Sequence, residues 1–209
     1  MLSTSENGFN NTIKVIHLQN RLWRKTRRIG NVCNGVDGNR NFDYHWSGLG
    51  SSSSECSEIY HGPFAFSEPE TRALAAIAER YGSNIKLYVA VHSFGQYILY
   101  PWGWTSDLPE NVLELHQLGD LVNDAISAVN GTNYVVGSST HLLGNAAGCS
   151  DDWMKGPGGV DLSYTLELPG GGDFGFDLPA SRIVPVVEET WPGFQVYYSY
   201  IVNKFGPSV

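Results

Sequence analysis

The sequence predicts an α/β fold in which a mixed, largely parallel sheet is flanked by helices. The first observation is the run from Ile85 to Val91, which is apolar and rich in β-branched residues except at Lys86. Such runs are typical of strands buried on both faces of a sheet. The second observation is that helical periodicity alternates with strand-like runs, which favours an α/β fold. No internal repeat or linker separates these segments, so we expect one domain over residues 1–209.

The element boundaries come from apolar spacing and from residues that start or stop helices. The expected helices are 68–81, 108–130 and 179–205, and the expected strands are 84–91, 134–136 and 160–168. The first helix begins at Ser67-Glu-Pro-Glu70, a capping-box pattern, and Gly82 ends it. In the last helix, Pro185 and Pro192 mark its start or a kink. The apolar face of the first helix is expected to comprise Leu74, Ile77 and Ala78.

Two long segments lack helix or strand periodicity and are expected to be loops. Residues 29–62 are dominated by Gly, Ser, Asn and Cys, and residues 142–159 are rich in glycine around Asp151-Asp-Trp153. Long ordered loops inside a compact domain tend to carry function. Near the N-terminus the pattern is weak, with a short strand expected at Thr12–His17.

Charge and hydropathy argue against two classes of partner. The net charge is −8 and the isoelectric point is near 5.1, which argues against nucleic acid as the main partner. No apolar run reaches the roughly 18 residues of a membrane-spanning helix. We therefore expect neither a nucleic-acid nor a membrane partner.

His92 follows the apolar run at the point where the strand leaves the core. In open α/β sheets, ligands bind at this carboxyl edge. Taken alone, a histidine at a strand end is more often a hydrogen-bonded structural residue than a ligand. The motifs elsewhere in the chain decide between the two interpretations.

Several short motifs occur in a fixed order along the chain. They are Trp23-Arg-Lys-Thr-Arg27, Gly38-Asn-Arg-Asn-Phe42, His92-Ser-Phe94, Ser150-Asp-Asp-Trp153, Leu166-Glu-Leu168, Leu178-Pro-Ala-Ser181 and Glu188-Glu-Thr-Trp191. Their order and spacing resemble the zinc metallocarboxypeptidases of the pancreatic carboxypeptidase A/B type, from about Leu18 to the C-terminus. The resemblance implies a zinc exopeptidase-like α/β fold and roughly the last two-thirds of that family's catalytic domain, with residues 1–17 atypical.

The resemblance implies a zinc cofactor held by two histidines and a glutamate. His92 matches the zinc histidine at the strand end, and the other two ligands come from a His-x-x-Glu element. The six histidines of this chain are followed at the third position by Asn, Gly, Phe, Gly, Gly and Gly, so the element is absent. One imidazole does not hold a catalytic zinc, and we expect the chain as written to be inactive.

The resemblance also assigns residues that act on the substrate. Glu167 matches the general base, which takes a proton from water and passes it to the leaving amine. Arg24 matches the arginine that stabilises the oxyanion. Asn39 and Arg40 match the pair that binds the terminal carboxylate, since a guanidinium donates two parallel hydrogen bonds to a carboxylate. Without the resemblance, Glu167 is more often a strand-edge glutamate than a catalytic residue. The corresponding structural interpretations are a solvated basic run for Arg24 and a polar turn for Asn39 and Arg40.

Side-chain preference is expected to depend on Asp151, which stands where carboxypeptidase B-like members have an aspartate at the base of the pocket. That position favours C-terminal Lys or Arg, although Ser150 or Asp151 would also serve as a helix N-cap. Ser93 and Phe94 are expected to bind substrate, with Phe94 as a subsite wall where the family commonly has tyrosine. Gly144 replaces the family's substrate-capping tyrosine, and Gly103 departs from the serine of B-like members.

The resemblance implies secretion and a disulfide. Cys33 and Cys56 bracket a Gly/Ser/Asn-rich loop and fit the family spacing of a disulfide, while Cys149 is left over. The N-terminal residues lack the apolar segment of a signal peptide. We therefore expect that the chain lacks its natural N-terminal portion.

Three interpretations remain at this point. The first is zinc-dependent hydrolysis of C-terminal residues by a monomer whose partners are peptide or protein C-termini. The second is a non-catalytic protein that binds C-terminal peptides, and the third is a truncated product without function, in which an exposed sheet edge would favour aggregation.

Overall fold

The computed structural model describes residues 22–173 and 175–206, so the strand expected at 12–17 lies outside the described residues. The described strands form one four-stranded sheet in the order β1-β4-β2-β3. Their bounds are β1 Leu87–Ser93, β2 Tyr97–Tyr100, β3 Val135–Ser138 and β4 Leu162–Leu168. β1 pairs with β4 and β2 with β3 in parallel, whereas β2 and β4 are antiparallel. The predicted mixed, largely parallel sheet is confirmed.

Five helices and two 3₁₀ turns surround this sheet in the described part of the chain. The helices are α1 Pro69–Tyr81, α2 Val112–Asn130, α3 Ser139–Leu143, α4 Ser150–Lys155 and α5 Ala180–Phe205, and the turns are Gly38–Arg40 and Gly82–Asn84. Pro185 and Pro192 both lie inside α5 rather than at its start. None of the described helices has both the length and the hydrophobicity needed to cross a membrane.

The start of α1 differs from the expected capping box. The N-cap of α1 is Glu68, whose side chain makes no capping hydrogen bond. Ser67 Oγ instead donates to Glu68 Oε1, and Glu68 in turn accepts from Thr26 Oγ1. The predicted capping box was therefore wrong, because the side chains of Ser67 and Glu68 bond to each other and to Thr26 instead of to the backbone N–H groups of the helix. The apolar face is also shifted, since Ala75 and Ala78 are buried while Ile77 is half exposed.

α4 lies within the segment that was expected to be a loop. Six residues are too few to show helical periodicity, which explains the error. α4 is nevertheless buried from Ser150 to Met154. Its Trp153 packs against the ring of Phe42, which follows the Gly38–Arg40 turn. This contact, part of the smaller of two apolar clusters, holds the turn beside the start of α4.

The larger apolar cluster lies between the sheet and helices α2 and α5. Tyr164 of β4, Leu115 of α2 and Tyr197 of α5 are all completely or almost completely buried in it. Tyr164 is hydrogen-bonded through its hydroxyl to the carbonyl oxygen of Leu115. This cluster fixes β4 in the middle of the sheet, and with it the carboxyl end from which Glu167 projects.

The predicted disulfide between Cys33 and Cys56 is confirmed. It closes a loop with a sequence separation of 23 residues. That loop contains the Gly38–Arg40 turn, so the cross-link limits how far the turn can move from the sheet.

Candidate active site

A cavity of about 150 Å³ lies at the carboxyl ends of β1 and β4. His92 of β1 and Glu167 of β4 are register partners on these adjacent parallel strands. Both side chains therefore lie on the same side of the sheet, and both line the cavity. This is the edge at which α/β sheets bind ligands.

The cavity brings together nearly all the residues that the sequence singled out. Its lining includes Arg24, Asn39, Arg40, His92, Ser93, Asp151 and Glu167. Phe94 is the exception, because its ring packs edge-on against Phe176 at 4.8 Å between centroids and does not line this cavity. Two further residues that the sequence did not single out for this site are Cys149, in the lining, and Asp37, behind it.

The Gly38–Arg40 turn forms because Asp37 caps it. Asp37 Oδ1 accepts a hydrogen bond from Asn39 N at 3.1 Å, and Asp37 O accepts one from Arg40 N at 3.0 Å. Aspartate is favoured at this position because its short side chain accepts from backbone N–H groups two residues further on. Asn39 Oδ1 then accepts from Ser150 N at 2.9 Å, which joins the turn to α4.

The guanidinium of Arg40 is anchored by neutral acceptors. Its Nε donates to Gly50 O at 2.8 Å and its Nη1 to Asn39 O at 2.7 Å. Nη1 also lies 3.4 Å from the Sγ of Cys149. Burial raises the pKa of the Cys149 thiol well above its usual value, so this sulfur is neutral. Because none of these acceptors carries a charge, Arg40 keeps its positive charge available to an anion in the cavity.

Arg24, in contrast, is ion-paired. Its Nε and Nη2 donate to Asp37 Oδ2 at 3.1 Å and 2.9 Å. Asp37 is almost fully buried, whereas the Arg24 side chain remains 38% exposed. The positive charge of Arg24 therefore stays at the cavity but is oriented by the carboxylate behind it.

Glu167 has an environment that suits proton transfer near neutrality. Burial raises the pKa of Glu167 to about 7, with a smaller opposing effect from the charge of Arg24 and a further rise from Asp151. Its Oε2 is buried and has no hydrogen-bond partner among the described residues. Burial also lowers the pKa of the neighbouring His92, which favours the neutral imidazole.

The adjacent residues Asp151 and Asp152 have different roles. Asp152 accepts hydrogen bonds from the backbone N–H groups of Gly103 and Trp104 at 2.9–3.0 Å, so it holds that loop. Asp151 lines the cavity instead. Its burial raises the pKa, while backbone hydrogen bonds, His92 and the Thr165 side chain oppose that rise.

Gly144 lies in the cavity wall and supplies no side chain there. Its backbone is left-handed, with φ at +86°, and no described residue other than its chain neighbours has an atom within 4 Å of the place where a Cβ would be. The space for a larger residue is therefore open, but the backbone conformation favours glycine.

The donor groups at the cavity do not fit a catalytic zinc site. Such a site needs three protein ligands. Across residues 22–173 and 175–206, no three His, Cys, Asp or Glu side chains form a cluster suited to a metal ion. Among the described residues, His92 is the one imidazole in the cavity lining. The described residues alone therefore do not support a catalytic step through zinc.

Comparison of the sequence with known proteins identifies one family. A profile described as zinc carboxypeptidase matches residues 7–193. Carboxypeptidase B of Astacus astacus is 47% identical over 188 residues, which is 88% of this chain and 62% of that protein. Carboxypeptidase A1 of Bos taurus is 40% identical over 203 residues, which is 96% of this chain and 47% of that protein.

A solved structure agrees with these sequence matches. The structure of bovine thrombin-activatable fibrinolysis inhibitor in complex with tick carboxypeptidase inhibitor superposes with a TM-score of 0.85 at 36% identity. The alignment covers 94% of this chain and 66% of that one. The chain belongs to the zinc carboxypeptidase family, which implies zinc as the family's metal, and it spans between about half and two-thirds of the length of these relatives.

Proposed function

We propose that this protein is of the metallocarboxypeptidase type and recognises the C-terminal residue of peptides for hydrolysis. We further propose that the 209 residues alone bind such peptides without cleaving them. The observation that carries the proposal is the cavity itself, in which Arg40 and Asn39 lie together with Arg24 and Glu167.

Recognition of the C-terminus rests on Arg40. A half-buried guanidinium held by carbonyl oxygens retains its charge and has a restricted orientation, so it binds a carboxylate through two parallel hydrogen bonds without first giving up an ion pair. Asn39 lies next to it in the turn and supplies an amide donor. A peptide amide at the same place lacks the negative charge and should bind much more weakly.

Two residues have positions suited to the chemistry of peptide hydrolysis. Glu167, with a pKa raised to about 7, is able both to take and to return a proton near neutral pH. Arg24 presents a fixed positive charge at the same cavity, where an oxyanion would develop. These roles need a water molecule activated by the family's metal, and the described donor groups do not supply three ligands for it.

The proposed preference for basic side chains rests on Asp151. Its carboxyl group is buried and lines the cavity, while Asp152 is occupied by backbone N–H groups. A Lys or Arg side chain entering the cavity would compensate the cost of burying this carboxylate, and a Leu side chain would not.

The second candidate function is that of a protein that only binds C-terminal peptides and has no hydrolytic role at all. It is favoured by the missing His-x-x-Glu element and by Gly144. Both changes remove groups for catalysis and leave Arg40 and Asn39 in place. On this view the protein would hold C-terminal peptides and release them unchanged.

Calorimetry with short peptides tests both parts of the proposal. A peptide ending in Lys with a free carboxylate should bind, and the same peptide with a C-terminal amide should not. Chromatography of the mixture, with and without added zinc chloride, should show no released lysine. Equal affinity for acid and amide would contradict recognition of the C-terminus, and turnover with one zinc per chain would contradict the expected inactivity.

A further inference from the structure

Asp37 is a buried carboxylate that contacts two of the proposed substrate-binding elements without lining the cavity. Its relative exposure is 3%, and it stands immediately before the Gly38–Arg40 turn. The sequence did not distinguish it from the other acidic residues in the long loop. The arrangement of its two oxygens indicates a specific role.

The two carboxylate oxygens of Asp37 have separate partners. Oδ2 accepts both hydrogen bonds from Arg24, and Oδ1 accepts the backbone N–H of Asn39. The backbone of Asp37 is fixed as well, because its N–H donates to Tyr60 O at 2.8 Å and its carbonyl accepts from Arg40 N. The carboxylate therefore has little freedom to move toward one partner at the expense of the other.

The connection continues beyond the turn. Asn39 Oδ1 accepts from Ser150 N, the first residue of α4, and the next residue is Asp151. Arg24 and the turn come from the N-terminal part of the described chain, and the start of α4 lies 111 residues after Asn39. Hydrogen bonds through Asp37 and Asn39 join them around the same cavity.

The two arginines of the cavity differ in their partners among the described residues, because Arg24 is ion-paired and Arg40 is bonded to neutral acceptors. Asp37 forms an ion pair with Arg24 through two hydrogen bonds to one oxygen. The Arg40 guanidinium instead donates to Gly50 O and Asn39 O. The single carboxylate thus orients one arginine and leaves the other free to bind an anion.

We propose that Asp37 is a positioning residue that sets Arg24 and the Asn39–Arg40 turn in register with each other, so that one peptide C-terminus meets both. This inference rests on the proposed function, since it assigns Asp37 to the binding of that peptide. It also makes a structural claim that is testable without any peptide.

Two substitutions separate the two oxygens. Asp37→Asn keeps an acceptor for Asn39 N but offers no second acceptor to Arg24. Asp37→Ala removes both acceptors. Asp43→Asn is the matched control, because it changes the same charge at an exposed position of the same loop. Circular dichroism and thermal unfolding establish that each variant is folded.

Hydrogen exchange followed by NMR reports on the two contacts directly. In Asp37→Asn, the Arg24 Nε–H should lose its protection while the Asn39 N–H keeps it, and in Asp37→Ala both should lose protection. Loss of both in Asp37→Asn, or of neither in Asp37→Ala, would overturn the proposal whether or not peptide binds.

Peptide affinity then tests the functional consequence. For a Lys-terminated peptide with a free carboxylate, Asp37→Asn should weaken binding about 10-fold and Asp37→Ala about 100-fold, and Asp43→Asn should bind as the wild type does. In an Arg24→Met background, Asp37→Asn should cause no further loss, because its effect acts through Arg24.

The outcomes distinguish this inference from the proposed function. If the wild-type protein does not discriminate acid from amide peptides, the proposed function fails and so does the part of the inference that involves peptide. If it discriminates and Asp37→Asn binds equally well, or if the loss is the same in the Arg24→Met background, only the positioning role fails.

Discussion

The two sides of the cavity differ in how completely their polar groups are paired. The side proposed to bind the peptide carboxylate, called the carboxylate side, comprises Asp37, the Gly38–Arg40 turn and Arg24. Hydrogen bonds between side chains and backbone link these residues. The strand-end side, which comprises His92 and Glu167, has a buried Oε2 without a partner among the described residues and two pKa values shifted by burial.

In the proposed function, the carboxylate side recognises the peptide and the strand-end side carries the groups for the chemistry. The carboxylate side is organised by bonds among its own residues, so it is expected to bind without help from another group. The strand-end side carries the cost of burying a carboxyl group with one unsatisfied oxygen. In the proposed function these groups take part in the chemistry, yet the described part of the chain does not supply three metal ligands beside them.

The largest expected effect is on the carboxylate side. Arg40→Ala removes a cavity cation that pairs with no carboxylate among the described residues, so the affinity for a free C-terminus should fall about 100-fold, or about 3 kcal/mol. Calorimetry with acid and amide peptides measures the change. In Arg40→Lys the charge stays but the planar fork is lost, so its affinity should be intermediate. An unchanged ratio of acid to amide affinity in Arg40→Ala would remove the distinction between the two sides.

The next effect concerns the strand-end side and the free energy of unfolding. The folded pKa of Glu167, at about 7, lies above the unfolded value near 4.5, so the folded state holds its proton more tightly. Stability from this group is therefore complete below pH 4.5 and is lost as the pH rises through about 7.

Urea denaturation between pH 4 and pH 8 should show this loss in the wild type, with a magnitude on the order of 2 kcal/mol. Glu167→Gln has no titrating group and should lack that component of the pH dependence. Identical pH profiles for the two proteins would indicate that Glu167 is better solvated than the strand-end side suggests.

A smaller effect is expected for side-chain preference. Asp151→Asn should reduce the preference for a Lys-terminated over a Leu-terminated peptide about 10-fold, or about 1.4 kcal/mol. The exposed Asp107→Asn changes the net charge equally and should leave the preference as it is. If both variants lose the preference, the net charge of the protein and not the cavity determines it.

The smallest effect is expected for zinc. Because a single imidazole makes a weak site, wild-type protein and His92→Gln should differ in zinc affinity by no more than about twofold. Isothermal titration with zinc chloride measures both. Tight binding of one zinc per wild-type chain, abolished by His92→Gln, would mean that the strand-end side is more complete than its described residues indicate.

The sequence by itself determined the fold class, the family and the identity of most cavity residues. Two of these, His92 and Glu167, follow or lie in apolar strands, and a parallel pairing of such strands places their ends together. The disulfide partners were also determined by the sequence once the family was known. These features depend on local patterns or on motifs that survive in the chain.

The family motif assigned Asp151 to the cavity, but only the tertiary structure showed the role of the adjacent Asp152. Asp152 accepts hydrogen bonds from the backbone N–H groups of Gly103 and Trp104, which come from a distant loop. The same holds for Asp37, whose role depends on Arg24, 13 residues earlier in the chain. The role of a buried carboxylate depends on the hydrogen-bond donors that surround it after folding. The local sequence does not specify which donors those are.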